Sequence, residues 1–486
     1  MPFPFPDAVE EFSVQTSNAG AEIGKSSAGA VNVVTKSGTN DFHGNAFWFV
    51  RNTDLNATSY FLHQSDQLKR NQAGGTLGGP IVRNKLFFFG GYQQTWIRTS
   101  PTESKTLTIP AAYRTGDFSK LLTQSKSVAI ADPLTGTPFP NNTIPQNRLS
   151  PAAIALLKYS PAPGPDGYDH WNVRTPGNDL EAIGRIDYRP SERNSFTARY
   201  YQNNTVNSRT IDPNDINTVS NSESSYSNNA VLSYTFVATP ALLSETHASV
   251  ARVLGVRSNA FPKTIAAFGV AVNPNSNQIS VSINGTSGLS ISTSNPPARF
   301  VRTNIGLDHS WNWIKGRHNF SWGANLMASR YNETNTFQGS GSYGFNGRYS
   351  GFDQADFMLG LMSGFQQSNG ELEYRRNHYF GFFFGDTFRM TRRFTLTYGL
   401  RWEPFFPITD LNDREVQFNQ SAYDQGVRSQ RYVNAPIGLL YPGDAFNGHT
   451  MSKGGVDAGK NQLAPRIGLA WDATGDGKTS VRLGYG

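Results

Sequence analysis

The sequence predicts an all-β chain: an antiparallel transmembrane β-barrel wall of about thirteen strands. Three observations predict it. Charged residues make up only 16% of the chain, whereas aromatics reach 13%, with 33 Phe, 20 Tyr and 47 Gly. A typical soluble domain carries about 25% charge. Segments of apolar–polar alternation recur in pairs joined by short polar turns. Long polar connections separate those pairs, and soluble compact domains rarely hold structureless connections beyond about 15 residues. A membrane barrel instead alternates short turns on one rim with long loops on the other.

The elements follow in chain order. A lone strand near 42–51 precedes pairs at 70–98, 181–205, 226–254, 302–328, 374–403 and 463–486. Their turns read RNK, PSERN, ATPA, IKGRH, RMTRR and ATGDGK. In 302–313, Ile305, Leu307, His309, Trp311 and Trp313 share one face, opposite Asn304, Gly306, Asp308, Ser310 and Asn312. In 394–403, Phe394, Leu396, Tyr398, Leu400 and Trp402 alternate with Thr395, Thr397, Gly399, Arg401 and Glu403. The apolar sets, with Phe320 and Trp322, are expected to face lipid. The polar sets, with Ser321, are expected to face the lumen. Each strand is expected to need 9–11 residues, the tilted span of a bilayer. Six short turns, around Asn84, Glu192, Thr239, Gly316, Thr391 and Gly475, should share one rim. The long connections are 52–69, 99–179, 206–225, 255–299, 333–373 and 406–462. Trp311, Trp313, Trp402 and Trp471 suit an interfacial aromatic girdle, or plain packing.

One helix is predicted inside loop 99–179, at SPAAIALLKYSP, with Ser150 as N-cap and Pro at the next position. Its apolar face is expected to dock on residues of the same loop. A soluble sandwich or propeller with large insertions remains the rival architecture, because it too shows one apolar and one polar face. The loop asymmetry and the aromatic excess favour the barrel.

Several chemistries find no support. The chain has no cysteine, so it holds no disulfide and no thiolate site. Its net charge of +7, from 43 basic and 36 acidic residues, is spread without a polybasic block. A nucleic-acid partner is therefore not expected. GDGKTS at 475–480 resembles a phosphate loop, but Asp472 stands where that pattern needs Gly. Read as a calcium loop from Asp472, it has Leu483 at position twelve instead of Glu. A hairpin turn remains. Gly339, Gly341 and Gly344 form GxGxxG without a following helix pattern. No catalytic set, metal cluster or cofactor site is visible, and the chain is not expected to be an enzyme.

Residues 9–40 read VEEFSVQTSNAGAEIGKSSAGAVNVVTKSGTN. This resembles the last plug segment of TonB-dependent receptors. Val9, Glu10, Phe12 and Val14 match its first strand, Gly24 and Gly29 its glycine-rich turn, and Val31, Asn32, Val33, Val34, Thr35 and Lys36 its second strand. Ala30 stands where the second glycine of that motif usually lies, a change the Oar-like branch often shows. KSGTNDFHGNAFWFVRN, NQAGGTLGGPIVRNKLFFFGGYQ, TIPAAYRTGDFS and NQLAPRIGLAWDATGDGKTSVRLGYG resemble the Oar-like branch more specifically.

The resemblance implies residues 1–40 as the end of a plug domain and 41–486 as part of a barrel of about 22 strands. It implies outer-membrane lipid, an unknown extracellular ligand and, through a segment upstream, the TonB complex as partners. Both ends are expected to be cut. The N-terminus has no basic start, apolar run or cleavage site. Expressed alone, such a piece is expected not to form a stable transporter, with open edges near 42–51 and 479–486. Arg185, Asp187, Arg302, Asp308, Arg401 and Glu403 fall on lumen parity. They could hold the plug or line a passage, or simply be solvated or locally paired wall residues. Arg185–Asp187 and Arg401–Glu403 each share one strand face, which favours local pairing. Three functions compete: gated ligand uptake, surface adhesion or matrix organisation, and soluble glycan binding.

Overall fold

Period-two alternation becomes one sheet. The computed structural model describes residues 3–15, 20–24, 30–58, 60–61, 63, 68–99, 103–209, 211–219, 221–293 and 295–486. Thirteen strands follow one another as an antiparallel meander. They are β1 His43–Asn52, β2 Leu68–Val82, β3 Leu86–Thr99, β4 Thr175–Ser191, β5 Asn194–Asn207, β6 Ser222–Thr239 and β7 Leu242–Ser258. The series continues with β8 Ala298–Lys315, β9 His318–Asn335, β10 Glu371–Arg389, β11 Phe394–Trp402, β12 Leu463–Asp472 and β13 Ser480–Tyr485. A short segment, Thr409–Asp410, adds on β10. β1 and β13 are the two ends of the order, and among the described residues they do not pair.

The six short turns fall on one rim, as the meander requires. Backbone bonds stitch neighbouring turns together: Arg189 N–H to Lys85 C=O at 2.7 Å, Val237 to Arg193 at 2.9 Å, Ile314 to Ala241 at 2.9 Å, Arg389 to Arg317 at 2.9 Å and Asp472 to Arg393 at 2.9 Å. GDGK is the last of these turns, with the Asp472 carboxylate accepting the Gly475 and Gly477 N–H groups at 2.9 and 3.1 Å.

Two expectations are corrected. The nine strands β2 to β10 are longer than 9–11 residues, β10 with 19 and β6, β8 and β9 with 18 each, whereas β1, β11 and β12 keep 10, 9 and 10. Ladder bonds continue above the apolar belt, where Asn, Ser and Tyr replace the alternating aliphatic signal. The outward face is also not uniformly apolar. Asp386 lies opposite Phe320 and Tyr398, on the parity of the lipid-facing set. It is buried near the short-turn rim, where His318 Nδ1 (2.6 Å) and the Tyr398 hydroxyl (2.8 Å) reach its Oδ2.

Four of the long connections form a second layer of structure with a core of its own. Ile109, Phe118, Ile130 and Ile144 from 100–174 pack in one cluster with Ile216 from 208–221, Phe261 and Ile283 from 259–297, and Met358 from 336–370. The helix Pro151–Leu157 forms, with Ser150 Oγ accepting the Ala153 N–H at 3.4 Å. It docks across loops rather than only on its own: Ser150 N–H donates to Met358 C=O at 2.7 Å. Ser280–Ile283, Leu289–Ser292, Ser342–Phe345 and Gly364–Gln366 build a four-stranded sheet from two loops. The buried Asp353 locks it, accepting the N–H groups of Gly285, Thr286 and Ser287 at 3.0, 2.8 and 2.8 Å.

Two predictions follow from this layer. Ile283→Val removes one methylene from a fully buried site and should cost the loop layer about 1 kcal/mol. Amide exchange protection should fall in 280–292 and stay unchanged in β8–β10. A global loss of protection would mean that loops and wall are one cooperative unit. The second concerns pH. Burial, aided by the Asp169 and Asp212 carboxylates and opposed by the Asn217 N–H, pushes Asp215 up to about 6. Its folded value is raised, so its contribution is full below the unfolded value near 4 and is lost as pH rises through 6. Burial raises Asp353 as well, but the Ser287 hydroxyl and three backbone N–H groups outweigh it and hold the carboxyl low. That contribution is present above about 4 and is lost in stronger acid. The melting temperature of the loop layer should therefore rise from pH 7 to about 4.5 and fall by pH 3. Near-ultraviolet circular dichroism at the three values checks the order, and a monotonic fall from pH 7 would overturn it.

Candidate functional site

The N-terminal residues fold as an antiparallel hairpin, Val9–Gln15 against Ala30–Thr35, with Ser13 opposite Asn32 and Val14 opposite Val31. A register shift between Val9 and Glu11 leaves Glu10 as the extra residue of a bulge. Val31 and Val34 are exposed, and Lys36 N–H donates to Ala8 C=O at 3.0 Å. Gly29 lies outside the described residues.

The hairpin and its flanks touch the inner face of the wall at two places. At the first, Phe5 and Ala8 are buried against Phe89, Ile183 and Tyr201, with Phe47 beside them. The Tyr201 hydroxyl lies 3.1 Å from Phe3 C=O and 3.0 Å from Glu181 Oε2. Gln93 Nε2 donates to the same carboxylate at 3.0 Å, and Gln72 Nε2 donates to Gln93 at 2.7 Å. Next to this chain, Arg185 pairs bidentately with Asp187 at 2.8 and 2.9 Å. Its Nη1 donates to the Thr35 carbonyl at 2.6 Å. One guanidinium thus serves a wall carboxylate and the end of the hairpin together.

The second place centres on Arg401, 1% exposed. Its Nε donates to Glu403 at 2.5 Å, and Nη2 to Asn325 at 2.8 Å and the Tyr379 hydroxyl at 2.6 Å. Nη1 donates to the Ala21 carbonyl at 3.1 Å, with Glu22 C=O at 3.4 Å. Arg466 on β12 donates to Ile23 C=O at 2.6 Å and contacts Gly20 C=O. Small residues make the approach possible. A Cβ on Gly24 would collide with Arg401 and Glu403, and one on Gly399 would press on Ala21 at 2.8 Å. Beside this contact lies a cavity of about 1030 Å³, bordered by residues 20–23 and by Glu245, Ser321, Thr397 and Arg482 among others.

The structure thus brings Arg185, Asp187, Arg401 and Glu403 to the hairpin contacts, each pair joined as an ion pair. Asp308 belongs to the edge of the second network, accepting the Asn325 amide at 2.8 Å. Arg302 stands apart, exposed, with its guanidinium 5.1 Å from the Tyr331 ring centroid. Arg466, Tyr379 and Asn325 were missed by sequence reading. Lumen parity in APRIGLAWD was the available signal for Arg466, which lies opposite Gly399.

The chain is 30% identical over 137 residues to the TonB-dependent transporter Oar of Myxococcus xanthus, covering 26% of this chain and 12% of that protein. Among solved structures it is similar to the copper transporter OprC, with 9% identity, TM-score 0.49, and coverage of 99% of this chain and 50% of that one. It is likewise similar to the siderophore receptor PirA from Acinetobacter baumannii, with 12% identity, TM-score 0.45, and coverage of 96% and 55%. The chain spans about half the length of these two solved chains. Residues 34–486 match the outer membrane beta barrel domain, and the chain belongs to that family and resides in the outer membrane.

Proposed function

We propose that this chain is part of a TonB-dependent receptor-like transporter of the Oar-like branch, in which ligand uptake follows movement of a plug. Residues 1–40 are read as the plug's last segment and 41–486 as wall and extracellular loops. The observation that carries the reading is the set of wall arginines bound to hairpin carbonyls: Arg185 on Thr35, Arg401 on Ala21, and Arg466 on Ile23. Charge-assisted bonds to backbone carbonyls hold a segment firmly, yet exchange for water without breaking secondary structure. The loop layer supplies the ligand surface, and TonB acts through a segment on the N-terminal side of the hairpin. No chemical step belongs to this reading.

The lack of cysteine makes a clean test. Ala21→Cys should label slowly with an impermeant maleimide at rest, since Ala21 is 5% exposed. Labelling should accelerate in energised native cells and slow again with a protonophore. Ala21→Cys with Gly385→Cys places Cβ atoms about 3.9 Å apart, within disulfide reach. Its oxidised form should abolish the energised increase, and reduction should restore it. The second reading, an adhesion or matrix-organising barrel, draws on the cross-loop core. It predicts labelling independent of energy, and that result would displace gated uptake.

A further inference from the structure

We propose that the outward face of the wall carries a binding site for a phosphorylated lipid of the outer leaflet, formed by Arg252, Arg330 and Arg376 with Arg299 above them. The ladder sets the rank. Arg252 on β7 lies opposite Thr303 on β8, Thr303 opposite Arg330 on β9, and Arg330 opposite Arg376 on β10. Val250, Ile305 and Leu307, all exposed, share this face toward the short turns, so the rank crowns the apolar belt.

Its height fits the membrane interface. Arg252, Arg330 and Arg376 stand ten, twelve and thirteen residues from the strand ends Leu242, His318 and Arg389. At 3.4 Å per residue and a tilt of about 40°, that is roughly 30 Å above the short-turn rim. An apolar band is about 25 Å tall. The guanidinium groups therefore emerge where headgroups of the outer leaflet begin.

Among the described residues no carboxylate pairs with these charges. Among the described residues, Arg252, Arg299 and Arg330 form no ion pair, and Arg376 reaches only neutral acceptors, Asn332 Oδ1 at 2.9 Å and Arg375 C=O at 2.7 Å. The nearby acids Glu333 and Glu373 oppose each other on the alternate parity, facing the lumen. Like charges directly opposite across a ladder, as Arg330 and Arg376 are, repel and destabilise the sheet. An anion between them removes that cost. The four side chains, with Thr303 and Asn332, border a cavity of about 220 Å³. Guanidinium forks bind phosphate oxygens two at a time, so a headgroup with two phosphates can bridge the rank.

The test uses protein extracted from outer membranes and stripped of lipid, followed by native mass spectrometry. Bisphosphorylated lipid A, its dephosphorylated form and inorganic phosphate are the probes. Bisphosphorylated lipid A should bind, and R252Q/R330Q/R376Q should weaken it by at least about 10-fold. The Lys triple variant, which keeps charge but loses the fork, should fall between and covers the case in which the Gln variant does not fold. K69Q/R98Q, at another outward basic pair, should bind as the parent does. Unchanged binding in the Gln or Lys variants overturns the site. Equal binding of dephosphorylated lipid A removes the role of phosphate, and equal occupancy by inorganic phosphate removes the lipid.

Discussion

Arg401→Ala is expected to lower the stability of the wall by about 3 kcal/mol, near the lower end for breaking a buried ion pair. The guanidinium is 1% exposed and makes bonds to Glu403, Asn325, Tyr379 and the Ala21 carbonyl. Alanine takes the guanidinium away from the Glu403 carboxylate and the Tyr379 hydroxyl. The side chain of Glu403 keeps 27% exposure, so water recovers part of the loss. Two readouts separate wall from hairpin. Urea unfolding in lipid vesicles should show the stability change. Proteolysis should show residues 20–24 cut far faster than in the parent, because one of the two arginines that bond their carbonyls is lost and Arg466 remains on Gly20 and Ile23. Arg401→Lys should recover the charge but not the fork, and so less than half of the effect. Parent-like proteolysis in Arg401→Ala would show that the hairpin does not depend on this contact.

What was legible followed from periodicity. A strand with lipid on one side and a polar lumen on the other must alternate, so Ile305, Leu307 and Leu400 sort from Asn304, Asp308 and Arg401 by parity alone. The same parity singled out Arg185 and Arg401. It could not reveal what they hold, because their hairpin partners are backbone carbonyls of Thr35 and Ala21, and a carbonyl has no residue type. The loop core was illegible for a different reason. Ile130, Ile144, Phe261 and Met358 come from three separate loops, and they meet only in three dimensions. Neither period two nor period 3.6 marks them. Asp386 broke the outward pattern, and its Oδ2 is held by His318 and Tyr398, which come from two other strands.

Leu400→Arg and Thr397→Arg test the parity itself, at positions three residues apart on one strand. Leu400 is 45% exposed on the outward face, opposite Phe384 and in line with Trp322. It lies six residues from Phe394, the short-turn end of β11. At 3.4 Å per residue and a tilt of about 40°, that is roughly 16 Å above the rim, close to the middle of the apolar belt. Arginine there meets hydrocarbon, its diagonal neighbour Asp386 being held already by His318 and Tyr398, and the expected cost is about 2–4 kcal/mol. Thr397 points the other way, into the polar cavity bordered by Glu245, Ser321 and Arg482. Arginine at 397 has water and open volume around it and should change stability by less than about 0.5 kcal/mol. Reversible unfolding in vesicles, run on both variants in the same lipid, gives the difference directly. Equal tolerance would mean that the outward face of β11 does not meet lipid. A larger penalty at Thr397 would mean that the parity of the whole meander is inverted, since one ladder register fixes the facing of every strand from β1 to β13.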